Sequence, residues 1–200
     1  MFSTVFPKFK ELYPDSSLQI TEDLSRMLER LLSEKKINLA VISTDQSRNP
    51  DFHYDIIKKE EFVMVISPKH PGFSRLPASD EPIDLTLLKD FSFILTPNPT
   101  VRRSIENNIF SNYNFEPEIM CEINNITTIY QMISKNNGIA FIPEGYINTG
   151  SSNCYFRLTQ HPHWELAVIY HKDYHPNNAE KEFISMVTDY YRSCTSYLSN

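Results

Sequence analysis

Apolar positions along the chain switch repeatedly between helical and strand spacing. Val5, Phe6, Phe9, Leu12 and Tyr13 recur at the three- and four-residue spacing of an amphipathic helix. Pro14 closes that helix, because the residue before a proline avoids the α region. Leu18-Gln19-Ile20 is expected as a short strand. Leu24, Met27, Leu28, Leu31 and Leu32 form the apolar stripe of a second helix, with Asp23 as its expected N-cap. Residues 37–43 and 62–66 are nearly continuous apolar runs rich in β-branched side chains, the pattern of strands covered on both faces. The charged run between them, Lys58-Lys59-Glu60-Glu61, reads as a solvated turn.

After the proline-marked break at 67–72 the alternation resumes. A short helix is expected over 84–89, a strand over 91–95, and a helix over about 100–113 carrying Val101, Ile105 and Ile109. Ile119, Cys121 and Ile123 alternate as a strand. Ile126, Ile129, Tyr130 and Ile133 mark a helix that stops at Asn136-Asn137-Gly138, a good C-terminal cap. Strands follow at 139–142, 155–158 and 164–171, and a last helix over about 178–198 contains Cys194. Strands alternating with helices predict parallel sheets with helices on their faces. The order predicts two α/β lobes: residues 1–66 with 165–200 in the first, and 67–164 in the second.

Composition narrows the class. Hydrophobic residues make up 40% of the 200 and charged residues 22%, which excludes a largely disordered chain. The formal net charge of −6 argues against this chain itself gripping a phosphate backbone. No apolar run reaches the ~18–20 residues of a membrane span. The N-terminus lacks the basic-then-apolar order of a secretory signal. Cys121, Cys154 and Cys194 are odd in number and widely spaced, so a disulfide framework is not expected and a reducing, intracellular setting is.

Candidate chemistry concentrates at strand-to-helix junctions. In open parallel sheets ligands bind outside the carboxyl ends of the strands, where helix N-termini present unpaired N–H groups that suit an anion. Three such junctions carry small polar residues: Thr21-Glu22-Asp23-Leu24-Ser25, Thr96-Pro97-Asn98-Pro99-Thr100 ahead of Arg102 and Arg103, and Asn124-Asn125-Ile126-Thr127-Thr128. N-caps need the same residue types, so spacing alone does not separate caps from ligand contacts. Either arginine could reach an anion or make a solvent salt bridge. No nucleophile elbow, phosphate loop, dinucleotide fingerprint or zincin motif occurs. His161, His163, His171 and His175 fit no standard zinc spacing. Neither a cofactor nor a metal is expected.

The ordered blocks resemble the effector-binding domain of LysR-type transcriptional regulators. Phe6-Pro7-Lys8-Phe9-Lys10-Glu11-Leu12-Tyr13-Pro14 with Leu18-Gln19-Ile20 is similar to that family's opening, and Ile37-Asn38-Leu39-Ala40-Val41-Ile42 to its next block. Glu61-Phe62-Val63-Met64-Val65-Ile66-Ser67-Pro68-Lys69-His70-Pro71 is similar to its crossover. Phe93-Ile94-Leu95, Arg102/Arg103, Asn137-Gly138-Ile139-Ala140-Phe141-Ile142-Pro143 and Trp164-Glu165-Leu166-Ala167-Val168-Ile169 continue the match in order. The resemblance implies a fold like the type 2 periplasmic binding proteins. That fold has two Rossmann-like α/β lobes, two crossover strands and a cleft between the lobes for a small effector.

By position, the family's pocket falls on Ser25, on Thr96, Asn98 and Thr100, and on Asn125, Ile126 and Thr127. This chain has Leu24 where the family usually has glycine, and Asn38 where it usually has aspartate. The family's first strand and its N-terminal winged helix-turn-helix domain are expected to lie outside this chain.

The leading expectation is therefore a non-catalytic, cytoplasmic effector-sensing and oligomerising domain. It would bind a small, anionic metabolite, form a homodimer or homotetramer, and meet DNA only through an N-terminal domain. A stand-alone solute-binding protein of the same fold is the alternative, and an enzyme on this scaffold the third reading.

Overall fold

The computed structural model describes residues 1–77, 81–113 and 115–193. Helix α1 (Phe2–Leu12) turns Val5 and Phe9 inward, and the N–H of Tyr13 closes its last turn on the carbonyl of Phe9 at 2.9 Å. Helix α2 (Ser25–Ser33) buries Leu28 and Leu32. Strand β1 (Ala40–Thr44) follows, then the 15-residue strand β2 (Phe52–Ile66). The chain continues through β3 (Ser92–Leu95), α3 (Val101–Ser111), β4 (Glu118–Glu122), α4 (Ile126–Ser134) and β5 (Ala140–Pro143). It closes with β6 (Cys154–Arg157), β7 (His163–His171) and α5 (Asn178–Ser193). Two units result, one from Met1–Lys59 and the described residues from Glu165 onward, the other from Glu60–Trp164. The chain passes from one to the other within β2 and returns at the start of β7.

In the first unit β1 pairs antiparallel with β7, Ala40 opposite Ile169 through Thr44 opposite Glu165. One face of this sheet meets α2, where Leu28 and Leu32 pack on Ala40, Ile42, Phe52, Ala167 and Ile169. The other meets α1 and α5, where Val5, Phe9, Phe183 and Val187 cover Ile57 and Val168. The Phe9 and Phe183 rings meet edge-on, 5.5 Å between centroids. The apolar stripes of three helices thus fix the two faces of one sheet, the basis of a layered α/β unit.

In the second unit the end of β2 lies between β5 and β6, antiparallel to both: Val63 faces Ile142 on one side and Arg157 on the other. Strand β3 runs parallel to β4, and a parallel bridge from Phe93 to Ile139 sets β3 beside the start of β5. Phe62 through Ile66 are fully buried, as their unbroken apolar run predicts. Val63, Val65, Ile94, Ala140 and Ile142 pack under Ile129 and Ile133 of α4. Phe93 meets Phe110 of α3 and Phe141 at 5.0 and 5.6 Å between ring centroids. After α4, Asn136 and Gly138 adopt left-handed backbone (φ 65° and 73°), so the expected cap forms. A side chain at Gly138 would meet the Ser92 carbonyl oxygen at 2.7 Å.

Several local expectations are corrected. The predicted parallel sheets are mainly antiparallel, and only β3 and β4 form a parallel strand pair among the described residues. Strand–helix alternation enforces parallel neighbours only where a helix joins two adjacent strands, as α3 joins β3 to β4. β1/β7, β2/β5 and β2/β6 bring together distant stretches of chain and escape that constraint. Leu18–Ile20 is not a strand: no backbone among the described residues pairs with it. Asp23 does not cap α2; Leu24 holds that position, and the Asp23 carboxylate accepts from the Leu24 N–H at 2.8 Å instead. The helix expected over 84–89 is a short 3-10 helix, Leu85–Leu88, capped by Asp84. Lys58-Lys59-Glu60-Glu61 lies inside β2 rather than at a turn, because Glu60 is buried there and accepts the indole N–H of Trp164 at 2.9 Å. Cys194 and the end of the predicted last helix lie outside the described residues.

Candidate functional site

Two of the three polar junctions fall in the second unit, and one residue joins them. At the first, β3 ends in Thr96, which is fully buried. Thr100 caps α3: its hydroxyl accepts from the Arg103 N–H at 3.1 Å and donates to the Pro97 carbonyl at 3.1 Å. Asn98 is exposed at the loop tip. At the second junction Asn125 caps α4, its side-chain oxygen accepting from the Thr128 N–H at 3.1 Å. Ile126 packs into the core beneath α4, and Thr127 is exposed. Arg102, in the first turn of α3, spans both junctions. Its Nε donates to the Thr96 hydroxyl, and its Nη2 donates to the carbonyls of Asn124 (2.8 Å) and Ile123 (3.3 Å).

The Thr96 hydroxyl is already committed. It donates to Glu106 Oε1 at 2.8 Å while accepting from Arg102, and the Thr96 N–H donates to Glu106 Oε2 at 2.8 Å. Arg103 is buried with Nη1 on the Thr96 carbonyl (2.8 Å) and on Glu122 Oε1 (2.6 Å), and Nε on Asn107 Oδ1 (2.9 Å). Burial pushes the Glu106 carboxyl up to about 6, against the pull of the Thr96 bonds and the two arginines. Burial also lowers the pKa of the Arg102 guanidinium, countered by Glu106 and by the nearby Tyr146 phenol.

Ser25 belongs to the first unit. It is the first residue of α2, half-buried, and its hydroxyl has no partner among the described residues. The first unit also holds a cavity of about 300 Å³ lined by Phe52, His53, Tyr170, Lys172, Tyr174 and His175, among others. Lys172 is tied to Asp51 there at 2.6 Å.

The arrangement at 96–106 and 123–128 gathers donors from two helix starts around one strand end. It offers a guanidinium, helix N-termini and amides, and its one hydroxyl–carboxylate contact, Thr96 to Glu106, is buried and also bonded to Arg102. Burial raises the pKa of both the Cys121 and Cys154 thiols, which is opposite to what a reactive thiolate needs. Sequence reasoning placed the two junctions but not Glu106, which orders them. Its signal is the spacing to Arg102 and Arg103, four and three residues earlier on one helix face.

Comparison with known proteins gives consistent matches. A family described as the LysR substrate binding domain matches residues 1–192. YwbI of Bacillus subtilis strain 168, an uncharacterized HTH-type transcriptional regulator, is 26% identical over 195 residues, covering 94% of this chain and 62% of its own length. This chain therefore spans less than two thirds of that relative. The effector-binding domain of QuiR, solved in complex with shikimate, superposes with a TM-score of 0.76 at 19% identity, over 96% of this chain and 90% of that one. The regulatory domain of CcmR from Synechocystis PCC6803, in complex with 2-PG, gives 0.79 at 15% identity, over 96% and 91%. At these identities the two structures establish the fold.

Proposed function

Because the chain belongs to the LysR substrate-binding domain family, with its type 2 periplasmic-binding-protein-like fold, we propose that it senses a small acidic metabolite. Binding is the whole of its chemistry: the effector is taken up unchanged at the helix N-termini bridged by Arg102. The observation that carries this reading is the family match over residues 1–192. The half-buried Arg102 guanidinium between two junctions supports the acidic character of the effector. Asn98, Thr100, Asn125, Ile126 and Thr127, all in the second unit, are the candidate contacts around it, and Ser25 is a separate candidate in the first unit.

Where such a domain is joined to a helix-turn-helix domain, the effector shifts DNA affinity by binding one arrangement better than another. The relatives' helix-turn-helix designation supports that role. Exposed Phe6, Leu12 and Ile20, with Ile119 and Met120 on β4, support association with a second copy. The protein acts in the cytoplasm, where such regulators meet DNA; no described helix is long and apolar enough to cross a membrane.

A thermal-shift screen of the 200-residue chain against small acids, shikimate and 2-PG included, tests the reading. A true effector at about a hundred times its Kd stabilises by about 2.7 kcal/mol. That raises the unfolding midpoint by about 5 °C or more. A metabolite library that leaves the midpoint unmoved contradicts it.

A further inference from the structure

Two neighbouring arginines open α3, and they differ in one respect. Arg103 has a carboxylate: its Nη1 lies 2.6 Å from Glu122 Oε1. Arg102 has none within ion-pairing distance among the described residues. Its three hydrogen bonds go to neutral oxygens, the Thr96 hydroxyl and the carbonyls of Asn124 and Ile123. Those bonds use Nε and Nη2, and Nη1 has no partner among the described residues. Glu106, the carboxylate on the same helix face, spends both oxygens on Thr96.

Arg102 is half-buried, and Glu106 acts on its charge only at a distance, across the Thr96 hydroxyl, so no anion touches the guanidinium among the described residues. Neutral acceptors hold its position and leave Nη1 open to a direct anionic partner. A carboxylate or phosphate oxygen arriving at Nη1 would complete it with a charge-assisted bond, stronger than a neutral one and strengthened further by partial burial. Thr96 cannot compete for that group, since its hydroxyl and its N–H are both engaged. Tyr146, close enough to act on Arg102 electrostatically, keeps an exposed phenol beside it.

We propose that Arg102 is the residue that selects the effector by its acid group, taking a carboxylate or phosphate oxygen at Nη1, while Thr96 serves only to hold Arg102 in place. This rests on the effector-sensing reading and sharpens it to one atom.

The test is a titration of the 200-residue chain followed by arginine side-chain Nε–Hε resonances, with the Arg102 signal assigned from its loss in Arg102→Lys. Inorganic phosphate is one arm and acetate the other, each against sodium chloride at matched ionic strength. The Arg102 signal is expected to shift saturably in at least one arm while that of Arg103 stays still, and the stronger arm identifies the acid. Arg102→Lys keeps the charge but loses the planar fork, and should weaken binding of that anion about tenfold. An Arg102 signal that follows only the chloride blank in both arms overturns the proposal, as does undiminished binding to Arg102→Lys. The broader reading fails separately, when no metabolite stabilises the parent chain. A neutral effector that stabilises the parent and Arg102→Gln alike would leave effector sensing standing and remove Arg102 from it.

Discussion

The junction between β3 and α3 and the entry to α2 look alike in sequence: small polar residues, then an amphipathic helix. In the structure they are opposites. At the first, every polar group of Thr96 is engaged, with Glu106, Arg102 and Arg103 arranged around it. At the second, Leu24 occupies the capping position without a side-chain bond, and the Ser25 hydroxyl is unengaged among the described residues. The difference lies in the charged residues that follow. Arg102, Arg103 and Glu106 lie on one face of α3 and turn back onto the strand end. The first turn of α2 has no acidic residue, and its Arg26 is exposed. Thr96 is spent because Arg102, Arg103 and Glu106 turn back onto it, whereas no side chain of α2, Glu29 included, bonds the Ser25 hydroxyl among the described residues.

That contrast can be broken in graded steps. Thr96→Val should cost the most. It strips one bond each from the Glu106 carboxylate and the Arg102 guanidinium inside the second unit, and should destabilise by about 3 kcal/mol. Urea unfolding followed by Trp164 fluorescence reads this directly, because the single tryptophan is buried in the same unit. Stability unchanged by the valine would mean the network contributes nothing.

The next largest effect is on pH dependence. Glu106 titrates near 6 in the folded chain against 4.5 for an ordinary glutamate. The folded state therefore holds this proton more tightly than the unfolded one. The resulting stability is fully present below about pH 4.5 and is lost as pH rises through about 6, a span worth about 2 kcal/mol. Glu106→Gln cannot titrate, so its stability should lack that decline between pH 4.5 and 6. Parallel pH profiles of parent and variant would contradict the assignment. Smaller still, Thr100→Ala and Asn125→Ala should each cost about 1 kcal/mol as lost caps. Ser25→Ala, at the uncapped junction, should stay within about 0.5 kcal/mol of the parent by the same urea measurement.

The same distinction decides what the sequence could tell. Phe62 to Ile66 declares its burial by an unbroken apolar run, and Thr100 and Asn125 announce caps by residue type, so these were legible locally. Glu60 was not: within its own segment it belongs to a run of four charges. Its partner, the Trp164 indole, is 104 residues away in the chain. The antiparallel pairing of β2 with β5 and β6 escaped for the same reason, since the helix–strand rhythm carries no record of which distant strands meet. At the candidate site, residue types and spacing located both second-unit junctions. They did not show that Thr96 was already occupied, because hydrogen-bond capacity is shared among residues that only the fold assembles.

The most direct test of the account maps the binding of an acid that stabilises the chain, by backbone amide shifts of the 200-residue protein. The account predicts that amides of 96–103 and 124–128 move together with one affinity, and that they stop moving in Arg102→Gln. Shifts confined to the first-unit cavity around His53, Tyr170 and Lys172, with the second-unit junctions silent, would contradict it.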